Sequence, residues 1–298
     1  MPEEKPLSAQ LERWLGLLGS VIAPASLIGA LLFYFGYVSS RAQFDYFGID
    51  VDAVGLSTQD YVMRSPQPLL VPLLILALVG AGLIALHARI RHRWDHPGFK
   101  VSIERSIMVG LVVVVIGVAM LLTYPLLSSW DFYPLVTPVV LGLGAALTAY
   151  GLGTLRFLDS RREQAPEGSR ATPRLAVIVL VWVAVAACLF WATATIAQWS
   201  GLGLARHQAK NLDDLPSVIV DTQDRLYLPE QSGVTEIELA ASDDSTYRYR
   251  YWGLRLLIVG EDQLYLVPNE WNNHDTTLVL PFRDDSVRVQ FQFRNIEP

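Results

Sequence analysis

The chain has 298 residues, of which 52% are hydrophobic and only 17% charged, with a mean hydropathy of +0.32 and a formal net charge of −6. A soluble globular domain carries about 25% charged residues, so composition excludes an ordinary water-soluble protein, and the acidic balance supplies no clustered cations for nucleic-acid phosphates. A lone cysteine, Cys188, excludes an intrachain disulfide.

The N-terminal segment MPEEKPLSAQLERW mixes acidic and basic residues and leads into a full-length apolar run with no A-x-A site behind it. That run reads as an uncleaved signal anchor. It is the first of five, at about residues 16–38, 69–88, 106–127, 134–155 and 175–198. At 1.5 Å per residue each is long enough to cross a hydrocarbon core of about 30 Å. None of the five contains Asp, Glu, Lys or Arg, which are the usual equipment of charge-coupled transport.

The flanks set an expected orientation. Twelve cations lie on one side: Lys5 and Arg13, then Arg89, Arg91, Arg93, Lys100 and Arg105, then Arg156, Arg161, Arg162, Arg170 and Arg174. Four lie on the other: Arg41, Arg64, Arg206 and Lys210. The positive-inside rule then puts the N-terminus in the cytoplasm and the C-terminal part outside. Trp130, Phe132 and Tyr133 in the short turn and Trp199 after the fifth run fit an interfacial belt.

Residues 41–67, expected to face outward, carry Phe44, Tyr46, Phe47 and Tyr61, more aromatic surface than a solvated linker needs. Ser57-Thr58-Gln59-Asp60 resembles a capping box with Asp at the third helical position, predicting a short helix over about 58–64. The segment is expected to pack against the outer ends of the spans or under the C-terminal domain. His92 and His96, four apart in HRWDH, have the spacing of a metal pair on a helix, but Pro97-Gly98 follows at once and no third ligand accompanies them. They read better as interfacial residues near lipid head groups, beside arginines that anionic lipid attracts. In the fourth run Gly142, Ala146, Ala149 and Gly153 are small residues that let another backbone approach, within the bundle or between copies in a homo-oligomer.

After Ser200 the period changes. Residues 201–298 hold nine Arg and Lys against sixteen Asp and Glu, a formal charge of −7. Short stretches rich in Val, Ile, Leu and Tyr predict strands at Ser217–Asp221, Arg225–Leu228, Val234–Leu239, Thr246–Trp252, Arg255–Val259, Gln263–Val267, Thr277–Leu280 and Val287–Phe293, with Gly260-Glu261-Asp262 as a hairpin turn. The expected class is therefore α+β: five transmembrane helices over 1–200, then a small all-β extracytoplasmic domain over 201–298, sandwich or barrel-like.

No set for a catalytic centre, a cofactor or a metal stands out. Asp243-Asp244 and Asp284-Asp285-Ser286 read as solvated turns, without the loop spacing calcium needs. His207 and His274 have no nucleophile elbow or metalloprotease helix beside them. Tyr46, Phe47, Asp50, Asp60, Tyr61, Trp252 and Trp271 form the candidate interaction surface, though aromatic residues at such positions are more often strand core or rim.

YFGID at 46–50 with DYVMRS at 60–65, and YWGLRLLI at 251–258 followed by YLVPNEW and SVRVQF, resemble an uncharacterised multi-pass membrane protein family of actinobacteria-like Gram-positive bacteria. The resemblance implies a bacterial cytoplasmic membrane and no particular activity. The expected function is a non-enzymatic membrane protein that presents its acidic domain outside to an envelope component, a protein or a ligand. One rival is a component moving an uncharged substrate along Thr123, Thr137, Thr148, Thr193 and Thr195. The other is an enzyme acting on lipid-linked substrate with Asp45, Asp50, Asp60 and Asp131.

Overall fold

A computed structural model describes residues 7–91, 99–127, 129–162, 171–228, 233–240, 246–272, 275–282 and 286–292. Its helices are α1 (Leu7–Asp45), α2 (Val51–Val54), α3 (Thr58–Arg64), α4 (Pro66–Arg91), α5 (Phe99–Leu122), α6 (Tyr124–Leu127), α7 (Tyr133–Arg162) and α8 (Ala171–Lys210). The strands are β1 (Ser217–Thr222), β2 (Thr235–Glu238), β3 (Tyr249–Val259), β4 (Gln263–Pro268), β5 (Leu278–Pro281) and β6 (Val287–Gln292).

Five of the helices are long and apolar enough to cross a membrane. Their apolar side chains face outward: Leu70, Leu78 and Ile84 of α4, Met108 and Val115 of α5 and Leu180 of α8 are each about two-thirds or more exposed. Water would not tolerate so much contiguous apolar surface, and hydrocarbon would, because each helix satisfies its own backbone. The chain is a multi-pass membrane protein.

By internal packing it forms two units, one of residues 1–68 with 197–298 and one of residues 69–196. The second unit is built on an α5–α7 seam. A methyl group on Gly110 would lie 3.1 Å from the Gly144 carbonyl, and one on Gly144 would lie 3.0 Å from the Gly110 carbonyl. Such reciprocal glycines bring two backbones into contact where lipid supplies no hydrophobic drive. Tyr133, almost fully buried, closes the end of the seam by donating to the Met120 carbonyl at 3.0 Å. Of the small residues on the fourth run, Gly142 faces Cys188, Ala149 is buried, and Gly153 has open space beside it. Pro24, Pro72 and Pro138 lie inside helices α1, α4 and α7.

The first unit carries the sheet, in the order β5-β4-β3-β1-β6, with every ladder antiparallel and β2 pairing with β3. β3 is long enough to take β2 beside its first half and β4 beside its second. The expected sandwich or barrel is not what the described strands make: they form one open sheet whose two faces are covered without a second sheet. One cluster packs Val218, Val220, Tyr251, Leu254, Leu264, Leu266 and Leu280 under Leu226, Leu228 and Val234. The other packs Ile258, Tyr265, Val267 and Trp271 against Phe44 at the end of α1, Phe47, Ile49, Val51, Val54 and Tyr61 of the segment after it and Ala205 of α8. The expected packing of residues 41–67 under the C-terminal domain is thus present. β4 serves both faces in strict alternation, Leu264 and Leu266 on one side, Tyr265 and Val267 on the other, as a pleated strand must.

Candidate functional site

The chain leaves α1 at Asp45 and turns at Gly48, which has a positive φ of 73°. Asp50, extended at φ −70° and ψ 119°, caps α2 by accepting from the Asp52 amide at 3.1 Å. Gly55 ends this single turn in the left-handed conformation, φ 74°, which is unstrained only without a side chain. Ser57 then opens α3 with a full capping box: its Oγ accepts from the Asp60 amide, and its own amide donates to Asp60 Oδ2 at 2.8 Å. The hydrogen bonds from the Ser57 hydroxyl and amide hold the Asp60 carboxyl below the usual carboxylate range. This is the helix the capping-box spacing predicts.

Three bonds tie this loop to the sheet. The Tyr265 hydroxyl donates to the Ala53 carbonyl at 2.9 Å, the Thr277 hydroxyl to the Phe47 carbonyl at 2.7 Å, and the Glu261 amide to the Val54 carbonyl at 3.3 Å. Burial pushes the Tyr265 phenol above its ordinary pKa, so it stays a donor at neutral pH. Trp271 lies against Phe47 with ring centroids 4.9 Å apart and against Tyr46 at 5.7 Å.

Between loop and sheet runs an open cleft of about 490 Å³, lined by Phe47, Gly48, Ile49, Asp50, Ala53, Gln263, Tyr265, Asp275, Thr276, Thr277 and Val279. The described residues that line it include two carboxylates and no lysine or arginine. Asp50 and Asp275 each use one oxygen locally, for the Asp52 amide and the Asn272 amide, and each keeps a second oxygen outside those bonds.

The seven residues of the expected interaction surface separate here. Phe47, Tyr61 and Trp271 are buried at 3%, 5% and 8% exposure, so as side chains they are packing rather than open surface. Tyr46 is half-buried against the same cluster. Trp252 lies on β3 opposite Thr235, and its indole N–H is buried without an acceptor, as is that of Trp271. Asp60 stays exposed in its cap, and Asp50 alone of the seven joins Phe47 on the cleft wall. Gln263, Tyr265, Asp275 and Thr277 were not among the expected residues. Nothing local in the sequence around them marks them; only packing against the first loop does.

Of the carboxylates of the enzyme reading, Asp45 lies 3.7 Å from Arg41, and Asp50 and Asp60 cap separate helices. Among the described residues no three His, Cys, Asp or Glu side chains are placed to hold a metal. His92, His96, Asp243, Asp244, His274, Asp284 and Asp285 lie outside the described residues. The threonines of the transport reading mostly bond back to helix carbonyls: Thr123 to Ala119, Thr148 to Gly144, Thr193 to Leu189 and Thr195 to Trp191. Thr137 is fully buried with its hydroxyl unpartnered.

A second polar feature stabilises the sheet. Asp221 on β1, fully buried, stands between its register partners Arg250 on β3 and Arg288 on β6. Arg250 reaches it in a fork at 2.7 and 3.0 Å, and Arg288 at 2.5 and 3.0 Å. Burial pushes the Asp221 carboxyl up, but the hydrogen bonds and charges of the two guanidiniums outweigh it and hold the group below its ordinary value. Arg255, buried at 3%, bonds Asp213, the Leu215 carbonyl and Asn269, pinning the α8–β1 connection to β3.

Comparison with protein-family models, with curated proteins and with solved structures finds no match to this chain.

Proposed function

We propose that this is a multi-pass protein of a bacterial cytoplasmic membrane, N-terminus inside, which holds its sheet unit at the outer face as a binding module for a cationic ligand. The observation that carries the reading is the cleft: the first loop and the sheet build it together, it has two carboxylates with oxygens to spare, and no lysine or arginine is among the described residues that line it. Opposite charge at a partly enclosed wall favours a cation over a neutral or anionic competitor. The twelve-to-four distribution of cations in the flanks supports the orientation, and the five long apolar helices support the membrane. The protein acts here by binding, with no chemical step.

Two experiments test the reading. Alkaline-phosphatase fusions after Leu212 are expected to be active and fusions within 161–174 inactive; the reverse pattern overturns the topology. Trilysine titrated calorimetrically into the full chain in nanodiscs is expected to bind, triglycine not, and the double variant D50N/D275N to weaken trilysine by about tenfold or more. Equal binding of the two peptides, or a double variant that binds as tightly as the parent, rejects the cation site.

A further inference from the structure

Among the described strands β5 is terminal in the sheet, and the ladder fixes which of its groups point away. The Phe282 amide donates to the Asp262 carbonyl at 2.9 Å, so that pair is a closely bonded one. In an antiparallel ladder such pairs alternate with open ones. With Leu280 opposite Leu264, Val279 opposite Tyr265 and Leu278 opposite Leu266, Leu278 and Leu280 turn their backbone groups toward β4. Thr277, Val279 and Pro281 turn theirs away from β4, to the edge that no described strand pairs. Pro281 has no N–H to offer there, whereas Thr277 and Val279 each present a donor and an acceptor. An edge of this kind is a template for another strand.

The cleft lies beside this edge, since Thr277 and Val279 line it. Val279, 44% exposed, is paired with Tyr265 and so stands on the face that Phe47 and Ile49 also cover. A residue placed opposite Val279 in an added strand would send its side chain to that same face, into the cleft that Asp50 and Asp275 line.

We propose that the occupant is an extended peptide segment carrying a lysine or arginine, which adds antiparallel to β5 as a further strand and directs its cation into the cleft. Antiparallel addition follows the rest of the sheet, in which every ladder is antiparallel. Main-chain bonds to Thr277 and Val279 would give affinity, and the two carboxylates would select the side chain. The proposal rests on the cation-binding reading above and adds the polymer and its geometry.

The test uses the full chain in nanodiscs and the probe acetyl-Thr-Val-Lys-Val-Thr-amide, with three comparison peptides: norleucine in place of lysine, glutamate in place of lysine, and the parent N-methylated on the lysine amide. The parent is expected to bind. Methylation is expected to weaken it about tenfold, because it removes the bond to the Val279 carbonyl while leaving charge and side chains intact. The norleucine and glutamate peptides are expected to weaken by at least as much. V279P removes the outward donor without touching a bond to β4 and is expected to match the loss caused by methylation.

If the methylated peptide binds as well as the parent, strand addition is wrong while the cation reading stands. If trilysine binds and the pentapeptide does not, the same conclusion follows. If norleucine or glutamate replaces lysine without loss, the cation reading itself fails, and the peptide proposal with it. Should V279P not fold, the methylated peptide alone decides the question.

Discussion

Tyr265 and Ala53, 212 residues apart in sequence, are joined by a hydrogen bond of 2.9 Å from the phenol to the backbone carbonyl. It fixes one turn of the first loop against the middle of the sheet, with the Gln263 side chain accepting from the same hydroxyl at 3.0 Å. Replacing Tyr265 with Phe keeps the ring in its cluster and removes only these bonds. The loss is expected to be about 1 kcal/mol, seen as roughly fivefold faster hydrogen exchange at the amides of residues 51–54. Unchanged exchange there would mean the loop is held by its apolar contacts alone.

Much of the fold is legible in the sequence, for local reasons. Length and apolarity mark the five membrane-crossing helices, and Ser57 with Asp60 marks α3 to the residue. Elsewhere the signal is interrupted or long-range. Thr246–Trp252 and Arg255–Val259 look like two strands because Gly253 separates them. In the structure they belong to one strand, β3, with a bulge at Gly253, whose φ of 84° returns Leu254 to the face of Tyr251. The expected strand at Arg225–Leu228 is irregular, with Tyr227 at φ 49°, and instead lays Leu226 and Leu228 over the sheet. α8 runs past the expected end at 198 to Lys210 because Ala197, Gly201, Ala205 and Ala209 continue a small-residue stripe at four-residue spacing. The cleft was not legible, since no local pattern shows that residues 47–53 and 263–279 share a wall.

That stripe gives a second prediction. A methyl on Gly201 would collide with the Ser39 carbonyl of α1, whereas one on Gly203 would meet nothing within 4 Å. Gly201→Ala is expected to destabilise the sheet unit by about 1–3 kcal/mol. Gly203→Ala is expected to be neutral or to stabilise by up to about 1 kcal/mol through helix propensity. Melting temperatures of the two variants in one detergent compare them directly; equal values would deny the close approach.

The Asp221 triad predicts an acid limb. Its carboxyl is depressed in the folded chain, so the unfolded chain binds the proton more readily. Its stabilisation is then complete above the ordinary value of 3.8 and is lost as pH falls through the lower folded value. Asp221→Asn leaves two guanidiniums facing each other without a counter-charge. The cost is expected to be about 1–3 kcal/mol, less than for a wholly buried pair because Arg250 and Arg288 remain 28% and 47% exposed. Tryptophan fluorescence from pH 7 to 2 should show a flatter acid limb in the variant; identical limbs would assign acid sensitivity to other groups.

Ser57→Ala tests the capping box. It removes the Oγ acceptor for the Asp60 amide and the hydroxyl donor to Asp60 Oδ2, the latter at 2.7 Å. A loss of about 1 kcal/mol is expected. Because the Ser57 hydroxyl is the largest cause of the depressed Asp60 pKa, the carboxyl should titrate closer to the ordinary carboxylate value, which side-chain carbon NMR would detect. An unmoved titration would place the cause elsewhere.

β4 is a party wall. Each of its central residues belongs to one of two hydrophobic clusters, yet all share one backbone. Close-packed interiors transmit displacement rather than absorb it. A displacement of the β4 backbone at Tyr265 is therefore shared with Leu264 and Leu266, which lie under Leu226 and Leu228 on the opposite face.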